Sequence, residues 1–358
     1  MSGPRIAIVH RSSLPTLGGV ELHIDRLAAA LVRLGFEPIV ITRQIHEHSA
    51  VAWRHYRYGV TTWSLPHALK REAPAFVHAH AARSLYSFVA VAVARWMQVP
   101  VLFTPHCFYP SRTLLKGVAK WLFDRSLGRL TFRLATRVIA LTKVDYGDAI
   151  RLGCPQDKLV LVPNAVDTDV LDASAYVAPR YPLPFLLFVG RLDPIKRLPD
   201  LVEAIARLPN LNLRLVVAGK DVGGRHALEK RAANLGITSR VHFAGNIPLA
   251  ELVGLYRAAT ALVLPSAMEG LPTCVLEAMY LGCPVIASDA GGTQTVIRSG
   301  VNGFLYRTGD IEALVDAIRQ TVSSGHPSLR EAARVTVLAR YTWTQTAREI
   351  ANLLDQLV

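Results

Sequence analysis

Residues 265–279 read PSAMEGLPTCVLEAM, and this segment follows the short apolar run Ala261–Leu264. A short apolar run that leads through a loop into a helical stretch is typical of one step of a parallel sheet. Pro272 fits the first turn of that helix, because its missing N–H would be unpaired there. Two carboxylates eight residues apart therefore bracket the helix start: Glu269 in the loop, and Glu277 about one turn inside the helix.

The helix start between these glutamates offers unpaired backbone donors. The N–H groups of Gly270, Leu271, Thr273 and Cys274 surround it, and a helix N-terminus favours an anion. One segment thus combines two acceptors for sugar hydroxyl groups with a cradle for a phosphate. The alternative is that Glu269 only caps the helix and Glu277 pairs with a surface cation. That alternative explains either glutamate alone better than it explains the whole pattern.

The same alternation of short strands and longer helices runs along the whole chain, which predicts parallel sheets with helices on both faces. The predicted strands are Arg5–His10, Glu37–Thr42, Ala75–Ala79, Val101–Pro105, Arg137–Leu141, Leu159–Val162, Pro184–Val189, Leu213–Ala218, Val241–Ala244, Ala261–Leu264, Val285–Ser288 and Phe304–Tyr306. Glu21–Leu34 is predicted as an amphipathic helix that ends before Gly35.

Length and composition predict two folded domains. The chain has 358 residues, of which 51% are hydrophobic and 19% charged, and this excludes disorder, collagen and coiled coils. Three prolines within Ala178–Pro184 mark a linker, because proline resists both helix and sheet. The prediction is therefore a doubly wound α/β domain over residues 1–180 and a second over residues 181–340, with a ligand cleft at the carboxyl ends of the strands.

The net charge of +13 is concentrated in the first half. Residues 1–180 hold 22 basic and 12 acidic side chains, whereas residues 181–358 hold 18 and 15. Such an excess indicates an anionic partner, whether a membrane surface, a nucleic acid or a phosphorylated substrate. No apolar run reaches the roughly 18 residues of a spanning helix, and no secretory signal or CxxC spacing is present. We expect a cytoplasmic protein with reduced cysteines.

Two glycine-containing junctions suit phosphate binding. Gly190-Arg191, followed by Lys196, comes directly after a predicted strand and places two cations where a diphosphate could bind. A solvated basic loop is the alternative. Gly18-Gly19 follows the first strand and would let the backbone approach a ligand closely, although a plain tight turn explains it equally well. Neither segment is a dinucleotide-binding or P-loop motif.

Taken in order, these segments resemble the retaining glycosyltransferases of family 4, which have the GT-B fold of two Rossmann-like domains facing across a cleft. The resemblance covers nearly the whole chain. It is carried by Gly18-Gly19-Val20-Glu21, Val162-Pro163-Asn164-Ala165-Val166-Asp167, Gly190-Arg191 with Lys196-Arg197, Phe243-Ala244-Gly245, Glu269–Glu277 (an E-x7-E motif), Gly282-Cys283-Pro284, Gly291-Gly292, Asn302-Gly303 and Tyr341-Thr342-Trp343. Thr295 stands where the family often has glutamate, and Ala165 where it has glycine.

The resemblance implies a role for each matching residue. Arg191 and Lys196 would hold the donor diphosphate beside Gly190, and Glu277 would bind the ribose. Glu269, and also His106 from Thr104-Pro105-His106, would lie by the transferred sugar. The remaining implied donor contacts are Gly18, Gly19, Gly270, Leu271, Pro272, Thr273 and, near the base, Asn246 and Ile247. Residues 341–358 would form a helix that returns to the first domain.

The resemblance further implies a metal-independent hexosyl transfer from a UDP- or GDP-sugar, with no cofactor required. In the implied front-face mechanism the leaving phosphate helps to take the acceptor proton. The rival functions are a nucleotide-sugar epimerase of the same fold and a non-catalytic sugar-nucleotide binding protein. Nucleic acid is disfavoured, because no RNP, KH or helix-turn-helix signature is present. His78 and His80 lie on one side of a strand, but without a CxxC or HExxH we predict no metal site.

A basic stripe precedes the strand at Arg137. Its cations recur every four residues, with one five-residue step: Arg112, Lys116, Lys120, Arg125, Arg129 and Arg133. Apolar residues including Trp121 lie between them, which is typical of a helix on an anionic membrane surface. A helix with its leucines and tryptophan packed inward and a solvated cationic face is the equal alternative. The first reading predicts a lipid-linked or saccharide acceptor at the inner face of the cytoplasmic membrane, in polysaccharide, lipopolysaccharide or glycolipid synthesis.

Overall fold

The computed structural model describes residues 3–12, 19–43, 56–57, 59–106, 108, 113–324 and 326–357, without the side chains of residues 56, 57, 116 and 324. The chain divides into two compact units, Met1–Ala165 with Trp343–Val358, and Val166–Thr342. Val166 and Leu171 are buried in the core of the second unit, and the Val166 N–H donates to the Tyr341 carbonyl over 2.9 Å. The boundary therefore lies 15 residues before the predicted one at residue 180, because residues 166–180 pack with the second unit.

The first unit is built on a seven-stranded parallel sheet. Its strands are β1 (Arg5–His10), β2 (Glu37–Thr42), β3 (Tyr56–Arg57), β4 (Phe76–His80), β5 (Val101–Thr104), β6 (Arg137–Ala140) and β7 (Leu159–Leu161), in the order β3-β2-β1-β4-β5-β6-β7. Its helices are α1 (Gly19–Arg33), α2 (Leu65–Glu72), α3 (Leu85–Trp96), α4 (Leu114–Phe123), α5 (Arg129–Leu134) and α6 (Lys143–Arg151).

Both faces of this first sheet are covered. Alternate residues of β1 point to opposite faces, so Ala7 and Val9 join one hydrophobic cluster while Ile6 and Ile8 join the other. The second cluster also contains Trp343 from the last helix of the chain, which spans Trp343–Asp355 and contacts α1. A parallel sheet buried on both faces explains why its strands are almost continuously apolar.

The second unit is built on a six-stranded parallel sheet. Its strands are β8 (Phe185–Val189), β9 (Arg214–Ala218), β10 (Val241–Gly245), β11 (Ala261–Leu264), β12 (Val285–Ser288) and β13 (Phe304–Tyr306), in the order β10-β9-β8-β11-β12-β13. Its helices are α7 (Thr168–Ala173), α8 (Leu198–Ala206), α9 (Arg225–Asn234), α10 (Leu249–Ala258), α11 (Thr273–Tyr280), α12 (Thr293–Val296), α13 (Ile311–Ser324) and α14 (Pro327–Arg340). The last helix, α15 (Trp343–Asp355), belongs to the first unit.

Strand order locates the ligand-binding edge of each sheet. In the second sheet β8 lies between β9 and β11, so the winding direction reverses there. In the first sheet the same reversal occurs at β1, which lies between β2 and β4. Open α/β sheets bind ligands outside the carboxyl ends of the strands at such a reversal. The fold is therefore two doubly wound α/β domains of the Rossmann type.

Candidate functional site

Glu269 is the centre of a charged cluster at the reversal of the second sheet. It lies in the loop after β11, and its Oε1 accepts hydrogen bonds from Lys196 Nζ over 2.6 Å and from Ser266 Oγ over 2.5 Å. Lys196 ends a single 3₁₀ turn in the neighbouring loop, which follows β8. The Ala267 N–H donates to the Ile195 carbonyl over 2.7 Å and so joins the two loops. The structure thus brings together two of the predicted donor-binding residues.

The loop after β8 presents its two cations differently. Gly190 has φ +154, a backbone conformation that side chains rarely allow. Asp193 then caps the 3₁₀ turn by accepting from the Ile195 N–H over 3.0 Å. Arg191 is exposed, and within the described part of the chain its guanidinium has no ion-pair or hydrogen-bond partner. Because the Arg191 guanidinium has no such internal partner, it can bind a ligand without first breaking an internal contact.

Glu277 is the fifth residue of α11, and a hydrogen bond from a buried tyrosine orients its carboxylate. Its Oε2 accepts a hydrogen bond from the Tyr256 hydroxyl over 2.8 Å, and Tyr256 is fully buried in α10. Burial, followed by the negative charge of Glu277, raises the pKa of Tyr256 well above its ordinary value, so the phenol stays protonated and donates. The helix begins at Thr273, so Pro272 is its N-cap residue rather than part of the first turn.

The backbone of Glu269 is held as closely as its side chain. The Gly292 N–H donates to the Glu269 carbonyl over 3.2 Å, and a Cβ placed on Gly291 would lie 2.0 Å from the same carbonyl oxygen. Gly291 also has φ +55, so both its backbone conformation and the close approach of the Glu269 carbonyl require a glycine at this position. Sequence reasoning did not assign Ser266, Tyr256 or Gly291 a part in the site. Gly291-Gly292 belongs to the family pattern and Ser266 has S-x-x-E spacing to Glu269, whereas no local signal marks Tyr256.

The other predicted donor contacts of the second unit lie in two segments, one directly after Glu269 and the other after strand β10. Gly270, Leu271, Pro272 and Thr273 follow Glu269 directly and lead into α11, with Leu271 and Pro272 buried. The pair Asn246–Ile247 follows the edge strand β10, where Ile247 lines a pocket with Tyr181, Glu251 and Leu255.

In the first unit, one of the two predicted glycines opens α1. Gly19 is its exposed first residue, whereas Gly18 lies outside the described residues. Two residues further on, Glu21 accepts a hydrogen bond from Ser12 Oγ over 2.5 Å and faces His10 Nε2 at 3.6 Å. Burial acts to raise the pKa of Glu21, but the bonds from His10 and Ser12 outweigh it, and the pKa lies below its ordinary value.

His106 belongs to a buried cluster of imidazoles. It follows β5 with φ +58, and its Nε2 lies 3.1 Å from His80 Nδ1 on β4. His23 of α1 is paired with Asn164 Oδ1 at 3.0 Å, and its ring lies edge-on to those of His80 and His106. Burial lowers the pKa of His23 to about 4 and that of His78 to about 3. Burial also holds the pKa values of His80 and His106 well below their ordinary range, so the cluster is neutral at pH 7.

Three of these histidines form a group of a kind that can bind a metal ion. One ring nitrogen each from His23, His80 and His106 lies within 4.8 Å of the others. Two of the three, His80 and His106, lie within hydrogen-bond distance of each other, with His80 Nδ1 3.1 Å from His106 Nε2. The absence of a metal remains a prediction.

The basic stripe forms a nearly continuous helix. Helix α4 passes through a π-helical turn, Asp124–Gly128, into α5. The single five-residue step of the stripe, from Lys120 to Arg125, ends inside this wider turn. Arg112 and the side chain of Lys116 lie outside the described residues, and Arg129 follows on α5.

Several apolar residues of α4 point to solvent. Leu114 is 87% exposed, Leu115 81% and Trp121 52%, and Arg125 lies over the Trp121 ring at 4.5 Å. The alternative in which these residues pack inward is therefore wrong for α4. In the described part of the chain, no helix combines the length and the apolar character needed to cross a bilayer.

Both halves of the chain match known protein families. Residues 179–336 match the family described as "Glycosyl transferases group 1", and residues 17–170 match "Glycosyltransferase Family 4". A D-inositol 3-phosphate glycosyltransferase from Frankia alni is 31% identical over 93% of both chains.

Solved structures share the fold at lower identity. Sucrose-phosphate synthase from Thermosynechococcus elongatus has a TM-score of 0.82 at 22% identity over 99% of both chains. HepE from Anabaena, solved in complex with UDP, has a TM-score of 0.80 at 18% identity over 98% of this chain and 100% of its own. The two doubly wound domains therefore have the GT-B arrangement of elements, and the chain belongs to glycosyltransferase family 4.

Proposed function

We propose that this glycosyltransferase moves a hexosyl group from a UDP- or GDP-sugar to a phosphorylated, lipid-linked or saccharide acceptor, with retention of the anomeric configuration. The observation that carries the proposal is the cluster at the reversal of the second sheet. There the cations Arg191 and Lys196 and the carboxylates Glu269 and Glu277 follow the neighbouring strands β8 and β11. HepE, which shares the fold, was solved with UDP and with UDP-glucose, and this supports a nucleotide-sugar donor.

Each side chain suits one part of such a donor. Arg191, without an internal partner in the described residues, is suited to a bidentate contact with the diphosphate. Glu277, oriented by Tyr256, can accept hydrogen bonds from the two ribose hydroxyls. Glu269 would accept from a hydroxyl of the transferred sugar. The placement of His106 near that sugar stays a prediction.

The chemistry we propose needs no protein nucleophile. The bond between the anomeric carbon and the phosphate oxygen breaks, and the acceptor oxygen bonds to that carbon on the same face. The departing phosphate oxygen takes the acceptor hydroxyl proton. Negative charge grows on the diphosphate as the bond breaks, so Arg191 and Lys196 would stabilise the transition state more than the ground state. On this proposal neither a metal nor another cofactor is required.

For the acceptor, the first domain offers a positive surface. Relatives named D-inositol 3-phosphate glycosyltransferase support a phosphorylated acceptor. The exposed leucines and Trp121 of α4, with cations beside them, support docking at an anionic membrane surface, which suits a lipid-linked acceptor in cell-envelope polysaccharide, lipopolysaccharide or glycolipid synthesis. On this proposal the protein works at the cytoplasmic face of the membrane.

A thermal-shift panel of UDP, GDP, ADP and their sugar conjugates, without metal, tests the donor. Ligand at 100 times Kd should stabilise the protein by about 2.7 kcal/mol, which is a visible shift in melting temperature. The shift should shrink in Lys196→Ala and persist in Lys230→Ala, since Lys230 is an exposed lysine on α9 of the same domain. No shift with any nucleotide in the folded wild type would overturn the proposed donor class.

A further inference from the structure

The carboxyl edge of the first sheet carries an open pocket lined by arginines. Arg11 follows β1 and Arg43 follows β2, directly after the register pair His10 and Thr42. The Arg43 N–H donates to the Arg11 carbonyl over 3.3 Å, so the two residues are neighbours. Both line the same open pocket. This pocket lies where the winding of the first sheet reverses, the usual ligand position of such a sheet.

The charges around this arginine pocket are unbalanced. Among the described residues, neither Arg11 nor Arg43 has an acidic partner, and no aspartate or glutamate of that set lines the pocket. Arg83 also lines it, but its guanidinium is bound to Asp124 over 2.8 Å. The nearby Glu21 carboxylate already accepts a hydrogen bond from Ser12. The two arginines occupy neighbouring positions and carry like charge, and a bound anion would offset the repulsion between them.

A buried tyrosine, whose hydroxyl has no hydrogen-bond partner among the described residues, also lines this pocket. Tyr86, in the first turn of α3, lines the pocket and is 3% exposed. Its hydroxyl oxygen is buried and has no hydrogen-bond partner among the described residues. Burial raises the pKa of Tyr86 above its ordinary value, with Arg43 acting in the opposite direction, so the phenol keeps its proton. An unpaired buried donor is costly, and a ligand oxygen would satisfy it.

We propose that Arg11, Arg43 and the Tyr86 hydroxyl bind the phosphate ester of the acceptor, an inference that rests on the proposed transferase function. Two guanidinium groups can each contact two phosphate oxygens, and the phenol can donate to one more. A phosphate ester is common to a soluble phosphorylated polyol and to the headgroup of an anionic lipid. The pocket therefore selects the acceptor by its charge.

Calorimetry with matched charged and neutral probes tests this site. D-Inositol 3-phosphate and glucose 6-phosphate are compared with inositol and glucose, on the wild type, Arg43→Gln and Tyr86→Phe. We expect the phosphorylated probes to bind and the neutral ones not to. Arg43→Gln should weaken binding about tenfold or more, and Tyr86→Phe by a few-fold. Arg95→Gln is the matched control, since Arg95 is exposed in the last turn of the same helix α3.

The remaining arms identify the source of the phosphate and separate the two proposals. Phosphatidylinositol vesicles replace the soluble probes, and preferential loss of vesicle binding in Arg43→Gln would assign the phosphate to a lipid. Equal binding by Arg43→Gln and Arg95→Gln, or no binding of any phosphorylated probe to the wild type, would overturn the acceptor site. The nucleotide thermal shift should persist in Arg43→Gln. Its absence from every variant and the wild type would instead count against the proposed donor.

Discussion

Lys196 Nζ lies 2.6 Å from Glu269 Oε1, although 73 residues separate them in the chain. Their side chains are 15% and 7% exposed, so the two charges compensate each other in a site that water reaches poorly. The pair also joins the loops after β8 and β11, which hold the remaining candidate donor contacts. A donor diphosphate would compete with Glu269 for Lys196, and Glu269 would then become available to a sugar hydroxyl.

We expect Lys196→Met to lower kcat more than it raises the donor KM, because the lysine meets growing charge in the transition state. It should also cost about 1–3 kcal/mol of unfolding free energy, because Glu269 keeps its charge and loses its main partner. Steady-state kinetics and urea unfolding measure the two effects. Lys230→Met is the control and should change neither.

The double variant Lys196→Met with Glu269→Gln separates stability from catalysis. Removing both charges leaves no stranded carboxylate, so most of the lost stability should return while activity stays low. If activity returned together with stability, the pair would be structural and the lysine would have no role in transfer.

Tyr256→Phe should raise the donor KM several-fold with a smaller change in kcat. The substitution removes the hydroxyl that holds Glu277 Oε2 at 2.8 Å, so the carboxylate loses the orientation we assign to ribose binding. Glu277→Gln should raise the KM further. A matching loss of binding for UDP and for its 2′,3′-dideoxy analogue in Tyr256→Phe would contradict a contact with the ribose hydroxyls.

Gly291→Ala should abolish donor binding, and Gly282→Ala should not. Both glycines have positive φ, so both substitutions introduce backbone strain of about 1–2 kcal/mol. Only at Gly291 would the new Cβ also meet the Glu269 carbonyl, at 2.0 Å, whereas Gly282 has nothing within 4 Å. Comparing nucleotide thermal shifts for the two folded variants therefore isolates the steric contact. Equal shifts would mean that the Glu269 loop tolerates displacement.

Local patterns predicted the sheets well. The strands Arg5–His10 and Ala261–Leu264 have the predicted bounds, because a parallel strand buried on both faces is almost continuously apolar. The two-residue strand Tyr56–Arg57 was not predicted, since so short an edge strand carries no periodic signal. The predicted domain boundary at residue 180 was wrong. Prolines show where the backbone cannot continue a helix or strand, but they do not show which hydrophobic core a nearby residue joins. Leu171, which precedes the prolines, packs in the core of the second unit.

The candidate site was predicted only in part, for a similar reason. Arg191, Lys196, Glu269 and Glu277 could be chosen from their positions after strands. Their supports, Tyr256 and Gly291, act through contacts between segments distant in the chain, which local spacing does not encode. The sequence likewise does not predict the close pairing of Lys196 with Glu269. Their positions suggest only that each side chain contacts a different part of the donor.

The exposed face of α4 should bind anionic vesicles. We expect the protein to pellet with phosphatidylglycerol vesicles at low salt, and Leu114→Ser with Leu115→Ser to reduce the bound fraction strongly, since these leucines are 87% and 81% exposed. Trp121→Ala should also reduce binding, whereas Trp96→Ala, a change of an exposed tryptophan on α3, should not. No pelleting of the wild type at low salt would remove the membrane proposal and leave the donor site unaffected.

The first domain should lose stability as the pH falls below about 6.5. Buried His23 and His78 have pKa values lowered to about 4 and about 3, while an unfolded chain binds their protons near pH 6.5. Between these values the unfolded state holds more protons than the folded state, so the unfolding free energy falls by up to about 1.4 kcal/mol per histidine for each pH unit.

Tryptophan fluorescence can follow this unfolding in the first domain alone. All five tryptophans lie outside residues 166–342, and Trp343 packs against His23 with ring centroids 5.0 Å apart. Urea midpoints should fall steeply from pH 7 to pH 5. In His78→Gln, whose amide can still bond to Thr104, the pH slope should be smaller by about one proton. His67→Gln, at an exposed position of α2, should keep the wild-type slope. Equal slopes in all three proteins would contradict the lowered pKa of His78, because they would mean that His78 binds its proton equally in the folded and unfolded states.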